Sequence, residues 1–411
     1  MKILLLTAYY TPETAASIYL SENRIEAFTR AGFIVELYTP IPTRGVSTEK
    51  RNIYEKEKRH ECLCDGHLFI HRFSMYREGK SPLLRALRYL LCSVAHFLNG
   101  LKAKNTDVIF VTSTPPIQGT MASLLKKVKR IPLVYNLQDI FPDSLVATNL
   151  VAENSLIFKL GRKIEDFTYR NADKIIVISE DFKRNILKKG VPNEKIEVIY
   201  NWVDESVVVN IERKDNKLIN KYDLDIQKFY ITYCGNIGLT QNIDMLLDAA
   251  KEFETIQDIH FVLIGEGVYK NKLDELICKN GIINITLLPF QPYEDISHVF
   301  SLGDVGLVIS KPGVGKNSLP SKTWNILSAE RPVLANFDEN ELKEIIEKNH
   351  LGIFTKAGDK KNFKEALLYF YNNPDKCLEM GRNGRNFVLK NLTRQTATQK
   401  YVEILKQSVN K

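Results

Sequence analysis

Residues 318–338 read SLPSKTWNILSAERPVLANFD, and the fold turns on this stretch. Proline suits the first turn of a helix and serine caps one, so Pro320 and Ser321 mark a helix start. The pattern predicts a helix over about Ser321–Ala329. Lys322 and Asn325 are three residues apart and Ser321 and Asn325 four, which puts all three on one face. Arg331-Pro332 stops the helix, and Val333–Asn336 reads as a short buried strand. The free N–H groups and partial positive charge of a helix N-terminus suit a phosphate, and a lysine in the first turn adds to that. An ordinary capped helix with a solvated lysine carries the same signature.

Strand and helix patterns alternate on both sides of this stretch. Toward the N-terminus, strands are expected at Ile3–Thr7, Phe33–Thr39, His67–Phe73, Asp107–Thr112, Leu133–Asn136, Lys174–Ser179 and Ile196–Tyr200. Helices fall between them, and residues 43–66 read as a long polar loop. Residues 203–228 are polar without a clear period and mark a domain boundary. Alternation restarts with strands at Tyr230–Cys234, His260–Ile264, Asn284–Leu288, Val305–Ser310 and Leu351–Thr355, and helices near 360–372, 374–391 and 393–408 finish the chain. Such alternation predicts parallel sheets covered by helices on both faces. Two blocks of that kind give two doubly wound α/β domains, 1–203 and 204–392, facing each other across a cleft. Ligands of such sheets bind at the C-terminal ends of the strands.

The 411 residues suffice for two or three domains with real cores. Six scattered cysteines form neither a disulfide framework nor a zinc pattern, so a reducing cytoplasm fits. The start, MKILLLTAYY, is too short for a signal segment and reads as the first strand. No apolar run reaches membrane-span length. Net charge is +8 and uneven: residues 1–205 hold 30 basic and 23 acidic side chains, while residues 80–130 hold nine basic and one acidic, Asp107. That field favours an anionic partner such as a membrane surface or lipid phosphate. A helix over about Pro82–Lys104, with leucines at helical spacing and basic flanks, suits a core position or weak interfacial binding to a membrane.

Two partial motifs fail. Gly313-Val314-Gly315-Lys316-Asn317 lacks the earlier glycine of a P-loop, which is Ser310 here, and has asparagine where Ser or Thr should follow the lysine. Gly265-Glu266-Gly267 ends a strand, but Lys270 breaks the dinucleotide fingerprint. Glycines in both loops still let a backbone approach a phosphate or ribose. Asp139, in the strand-end run Gln138–Asp143, is the carboxylate best placed for chemistry, and a strand-end cap is its plain alternative. The seven histidines show no metal spacing.

These segments together resemble the family 4 retaining glycosyltransferases of the GT-B fold, and within them the WbuB-like enzymes of bacterial O-antigen and capsule assembly. The resemblance rests on MKILLLTAYYTPE at the start, NLQDIFPDS at 136–144, IEDFTYRNADKIIVIS at 164–179, CGNIG at 234–238, FVLIGEG at 261–267 and LPSKTWNILSAERPVLANFD at 319–338. It implies an N-terminal acceptor domain, a C-terminal nucleotide-sugar domain, and a last helix, about 393–411, that packs back on the first domain. The diphosphate would sit on the helix start at Ser321 with Lys322 and the loop Gly235, Asn236, Gly238 and Gln241 around it. Base and ribose would lie near Gly265, Gly267, Phe290 and Asn325. Asp139 and Lys322 are the expected catalytic residues, and Ala15, Ala16, Gln138 and Asn317 the expected sugar and acceptor loop. The wider family usually has two glutamates where this chain has Asn317 and Asn325, Arg and Lys where it has Asn236 and Gln241, and His where it has Gln138; Lys311, Lys316 and Lys322 are the lysines able to substitute.

The expected function is transfer of a sugar from a UDP-sugar to a polyprenyl-diphosphate-linked saccharide at the cytoplasmic face of the membrane. An N-acetylated amino sugar such as GlcNAc or N-acetylfucosamine is the expected group, with no metal cofactor. A UDP-sugar 2-epimerase of similar architecture and a non-catalytic nucleotide-sugar-binding subunit are the alternatives. A nucleic-acid partner is not expected, since none of the usual readout motifs is present.

Overall fold

The computed structural model describes residues 1–13, 18–79, 81–147, 151–316 and 318–409. Its contacts divide the chain into two compact units, Met1–Asn201 joined by the chain from Gln395 onward, and Trp202–Arg394.

The first unit runs β1 (Lys2–Leu6), α1 (Ile18–Arg30), β2 (Ile34–Pro40), α2 (Thr48–Lys56), β3 (His60–Leu63), β4 (Leu68–Phe73), α3 (Pro82–Lys102), β5 (Val108–Thr112), α4 (Gln118–Lys129), β6 (Leu133–Leu137), α5 (Asp143–Ala147), α6 (Leu156–Asn171), β7 (Lys174–Val177), α7 (Glu180–Lys188) and β8 (Ile196–Val198). The strands order as β3-β4-β2-β1-β5-β6-β7-β8. All pairs are parallel except β3 with β4. Strands such as β1 and β5 are apolar at successive positions because helices cover both faces of the sheet.

The second unit runs α8 (Lys217–Lys221), β9 (Phe229–Cys234), α9 (Asp244–Phe253), β10 (Ile259–Ile264), α10 (Lys270–Asn280), β11 (Ile285–Leu288), α11 (Ile296–Ser301), β12 (Val305–Ile309), α12 (Lys322–Ser328), β13 (Val333–Phe337), α13 (Glu341–Lys348), β14 (Gly352–Lys356), α14 (Lys360–Asn372) and α15 (Pro374–Asn391). Its sheet, β11-β10-β9-β12-β13-β14, is wholly parallel. The last helix, α16 (Arg394–Val409), buries Tyr401 in the first unit. There its hydroxyl donates to Asn136 Oδ1 at 3.1 Å and its ring meets Phe110.

Three local expectations need correction. Residues 43–66 are not one loop: Ser47 caps α2 by accepting from the Lys50 N–H, and β3 follows as a four-residue edge strand. No residue of α2 is buried, so it leaves no apolar period to read. Helix α13 was also absent from the pattern; Asn340 caps it by accepting from the Leu342 N–H. Helix α3 turns its leucine stripe outward, with Leu83 82% exposed and Leu84, Leu87, Leu90, Leu91 and Val94 also exposed, while Arg88 and His96 are buried. Arg88 Nη2 donates to Thr43 Oγ1 at 3.1 Å, and His96 Nδ1 lies 3.0 Å from Gln118 Oε1, so the inward face of α3 is the polar one.

Candidate functional site

In the second unit, three strand ends place their loops together. The loop after β9 and the loop after β10 are joined by backbone bonds from Gly235 N–H to Ile264 O at 2.9 Å and from Ile237 N–H to Glu266 O at 2.9 Å. They press so closely that a Cβ on Gly265, whose φ is +153°, would lie 1.9 Å from the Gly235 carbonyl oxygen. A Cβ on Gly267 would lie 2.1 Å from the Ile237 carbonyl oxygen. Only glycine fits that ledge.

Lys322, at the start of α12, lies against it. Its Nζ donates to Tyr233 Oη at 3.0 Å and stands 4.2 Å from the centre of that ring. A Cβ on Gly235 would be 3.0 Å from the same Nζ. The Tyr233 hydroxyl in turn donates to the Asn236 carbonyl at 2.7 Å. No carboxylate is bonded to Lys322 among the described residues. Burial therefore pulls its pKa down to about 8, opposed only by the neighbouring Cys234 thiol. Burial also pushes that thiol up to about 12.

The other expected nucleotide residues gather at the same strand ends. The Asn236 and Gln241 side chains fold over Gly238, each within 3 Å of where its Cβ would be. Gln241 Oε1 is buried and unpartnered. Phe290, two residues past β11, is 72% exposed, and its N–H bonds the Glu266 carboxylate. Asn325 is half-buried and Ser321 exposed. Ser321 is not a capping residue: its backbone is already helical and its side chain makes no cap bond. The first turn is closed instead by Thr323 N–H to Pro320 O and Trp324 N–H to Ser321 O, both at 3.1 Å.

Three residues here escaped the sequence reading: Tyr233, Asp338 and Asn340. Asp338 accepts from Gly313 N–H at 2.9 Å and Gly315 N–H at 2.7 Å. Asn340 Nδ2 donates to the Gly315 and Ser318 carbonyls, and Lys311 N–H reaches Thr240 O at 2.8 Å. The Asp338 and Asn340 bonds tie the loop between β12 and α12 to the exit of β13, and the Lys311 bond ties it to the β9 loop. The available signal was a short polar residue directly after a buried strand, facing a Gly-x-Gly turn, which is a loop anchor in form.

In the first unit, Gln138 and Asp139 follow β6. Ser113 Oγ accepts both of their backbone N–H groups, at 3.0 and 3.1 Å. Gln138 donates to Asn136 Oδ1 at 3.1 Å and accepts from Asn201 Nδ2 at 3.0 Å. Asp139 is exposed beyond the C-terminal end of β6 and accepts from Ser144 Oγ at 3.2 Å. Partial shielding from water raises its carboxyl above the usual range, and Asp143, ion-paired with Lys189 at 2.9 Å, adds a like charge. Ala15, Ala16 and Asn317 lie outside the described residues. Among those described, no group of three or more His, Cys, Asp or Glu converges as a metal site.

Asp338→Ala removes both acceptors that hold the loop between β12 and α12. Trypsin should then cut after Lys316 about tenfold faster, the equivalent of one charge-assisted hydrogen bond. Unchanged cleavage would show that the carboxylate does not hold the loop.

Comparison with known proteins accounts for both units. The model of the glycosyl transferase 4-like domain matches residues 21–202, and that of glycosyl transferases group 1 matches residues 214–387. WcaI of Escherichia coli K12, a glycosyl transferase assigned by its name to colanic acid biosynthesis, is 25% identical over 335 residues, 80% of this chain and 81% of that one. WbjE of Pseudomonas aeruginosa, named a glycosyltransferase, is 25% identical over 285 residues, 68% and 70% of the two chains. The crystal structure of HepE from Anabaena in complex with UDP superposes with a TM-score of 0.72 at 18% identity, over 99% of this chain and 100% of that one. With two parallel-sheet α/β domains of the GT-B class, the chain is a glycosyltransferase, built from a glycosyl transferase 4-like domain followed by a group 1 domain.

Proposed function

We propose that this glycosyltransferase moves an N-acetylated amino sugar, with retention, from a UDP-sugar to a saccharide carried on a polyprenyl diphosphate. The observation that supports it most is Lys322: a cation without a carboxylate among the described residues, held against a glycine ledge at the C-terminal ends of parallel strands. A diphosphate departing from the sugar develops charge that such a lysine and the facing backbone N–H groups stabilise. Gly235, Asn236, Gly238, Gln241 and Ser321 surround the phosphates in this reading. Exposed Phe290 offers a face for the uracil, with Gly265, Gly267 and Asn325 toward the ribose. That HepE was crystallised with UDP supports the choice of nucleotide. Asp139, its pKa raised by shielding from water, suits proton exchange with a hydroxyl, and Gln138 beside it suits sugar recognition. Leaving-group stabilisation falls to Lys322, so turnover needs no metal.

The acceptor is lipid-linked in this reading because helices α3 and α4 and the first half of α6 form a face for a membrane. Besides the α3 leucines, Leu124, Val128, Leu156, Ile157 and Leu160 are exposed. Lys102, Lys126, Lys127, Lys129, Lys159 and Lys163 lie among them, and residues 82–102, 118–129 and 156–164 contain no Asp or Glu. Among the described residues no helix is long and apolar enough to cross a membrane. Contact is therefore peripheral, on the cytoplasmic leaflet.

Nucleotide release is the direct assay, with a panel of UDP-sugars and a polyprenyl-diphosphate saccharide, with and without EDTA. Lys322→Ala should lower kcat about 100-fold with folding intact. Consumption of donor without any acceptor product, or loss of turnover with EDTA, would contradict this reading. UDP binding carries its own signature. Lys322 is charged below its pKa of about 8 and neutral above it, and a bound diphosphate raises that pKa. Affinity should fall as pH rises through 8, and binding at pH 8 should take up roughly half a proton, absent in Lys322→Met. Calorimetry in buffers of different ionisation heat measures this, and equal heats would rule the linkage out. Membrane contact is checked by co-sedimentation with vesicles containing phosphatidylglycerol. Leu83→Glu with Leu87→Glu should weaken binding at least roughly tenfold; no change would remove this face from the account.

A further inference from the structure

Gln138 spends both ends of its amide inside the protein, and the direction of each bond is set from a distance. The chain begins at Arg24, buried in α1 with 4% exposure and no carboxylate partner among the described residues. Its guanidinium lies over the rings of Tyr401 and Phe110, 5.3 and 5.8 Å from their centres, and hydrogen-bonds the Tyr401 hydroxyl. A guanidinium has donors only. The Tyr401 oxygen must accept there, and its proton is left to donate. It donates to Asn136 Oδ1, 3.1 Å away inside the core. The same Oδ1 accepts from Gln138 Nε2 at 3.1 Å, and Gln138 Oε1 accepts from Asn201 Nδ2 at 3.0 Å.

Three side-chain amides in series can be satisfied in two opposite orientations, since turning one over forces the next to follow. Asn136 Nδ2 and Asn201 Oδ1 are buried without partners, so the amides pay for the present orientation. What selects it is the hydroxyl proton of Tyr401. We propose that Tyr401, driven by Arg24, is a positioning residue that fixes which end of the Gln138 amide is presented to the transferred sugar or acceptor. One N–H of Nε2 and one lone pair of Oε1 remain for substrate, in a set order. The connection also involves both passages between the units: Asn201 is the last residue of the first unit on the outgoing chain, and Tyr401 belongs to the helix that returns to it.

This inference rests on the proposed role of Gln138, so its test has a readout that needs no turnover. Tyr401→Phe keeps the ring but removes the proton that orders the chain. In the full-length protein, the Gln138 side-chain amide protons should show slower solvent exchange by NMR in the parent than in Tyr401→Phe, and a second amide conformation should appear in the variant. Turnover should lose roughly tenfold in kcat/KM, while UDP affinity, set by the other unit, stays unchanged. Adding Asn136→Asp to Tyr401→Phe offers Gln138 an acceptor whichever way the group turns, with Arg24 nearby to balance its charge. That double variant should recover most of the loss. Unchanged Gln138 amide exchange in folded Tyr401→Phe would overturn the proposal, as would a folded double variant with no recovery. An altered amide without any effect on turnover would leave the hydrogen-bond chain standing and remove Gln138 from sugar recognition.

Discussion

A half-buried ammonium with no acid to neutralise it is costly, and Lys322 is such a group. What it has is the Tyr233 hydroxyl, the face of the same ring, and the thiol of Cys234. These partners orient the amine without cancelling its charge, and burial lowers its pKa. A folded chain tolerates that deficit when a ligand repairs it, and perturbed lysines cluster at functional sites for this reason. The rest of the second unit supports this placement. The β9 strand supplies Tyr233, the loop beyond it supplies Gly235, and the buried Trp324 beside Lys322 anchors α12 against Phe387 of α15.

The glycines work by subtraction. At Gly265 and Gly267 a side chain would collide with the carbonyls of Gly235 and Ile237. Without one, two loops from adjacent parallel strands close into a single surface of backbone. Sequence motifs for phosphate loops look for glycines within one loop. Here the close approach is between two loops some thirty residues apart in sequence, so no motif match registers it and both partial matches fail. The loop between β12 and α12 is fixed by a comparable device, in which Asp338 replaces internal loop bonds with a carboxylate from the next strand exit.

How far the sequence could be read follows from which residues leave a period. The parallel strands did, because burial on both faces makes β1, β12 and β13 apolar runs. Helix α12 was visible through Pro320, Lys322 and the stop at Arg331-Pro332, although Ser321 turned out to be inside the first turn and not its cap. Helix α2 was invisible because nothing in it is buried. Helix α3 was visible as a helix and ambiguous in its facing, because the leucine stripe that normally reports a core here reports a solvent face. Periodicity shows that a stripe exists and not what covers it. Of the candidate residues, Lys322 could be named from a helix start, Gly265, Gln138 and Asp139 from strand ends, and Gly235 through the family resemblance. Tyr233, Asp338 and Asn340 could not, since their roles depend on contacts with loops distant in sequence.

The substitutions that distinguish this chain from its wider family share one direction. Where the resemblance leads one to expect Arg, Lys and His, the chain has Asn236, Gln241 and Gln138. A neutral amide cannot supply a charge, but it can supply a donor and an acceptor in fixed relation, and the surroundings of these amides decide which end does what. Asn236 sets its side-chain Nδ2 over Gly238, Gln241 has a buried Oε1 with no partner, and Gln138 is bonded at both ends. The net effect is to leave direction, more than charge, to these positions. A diphosphate bound as proposed would meet the Lys322 ammonium and backbone N–H groups whose geometry the glycine ledge imposes. Where an amide has replaced a charged side chain, that position cannot take over a charge lost elsewhere in the site.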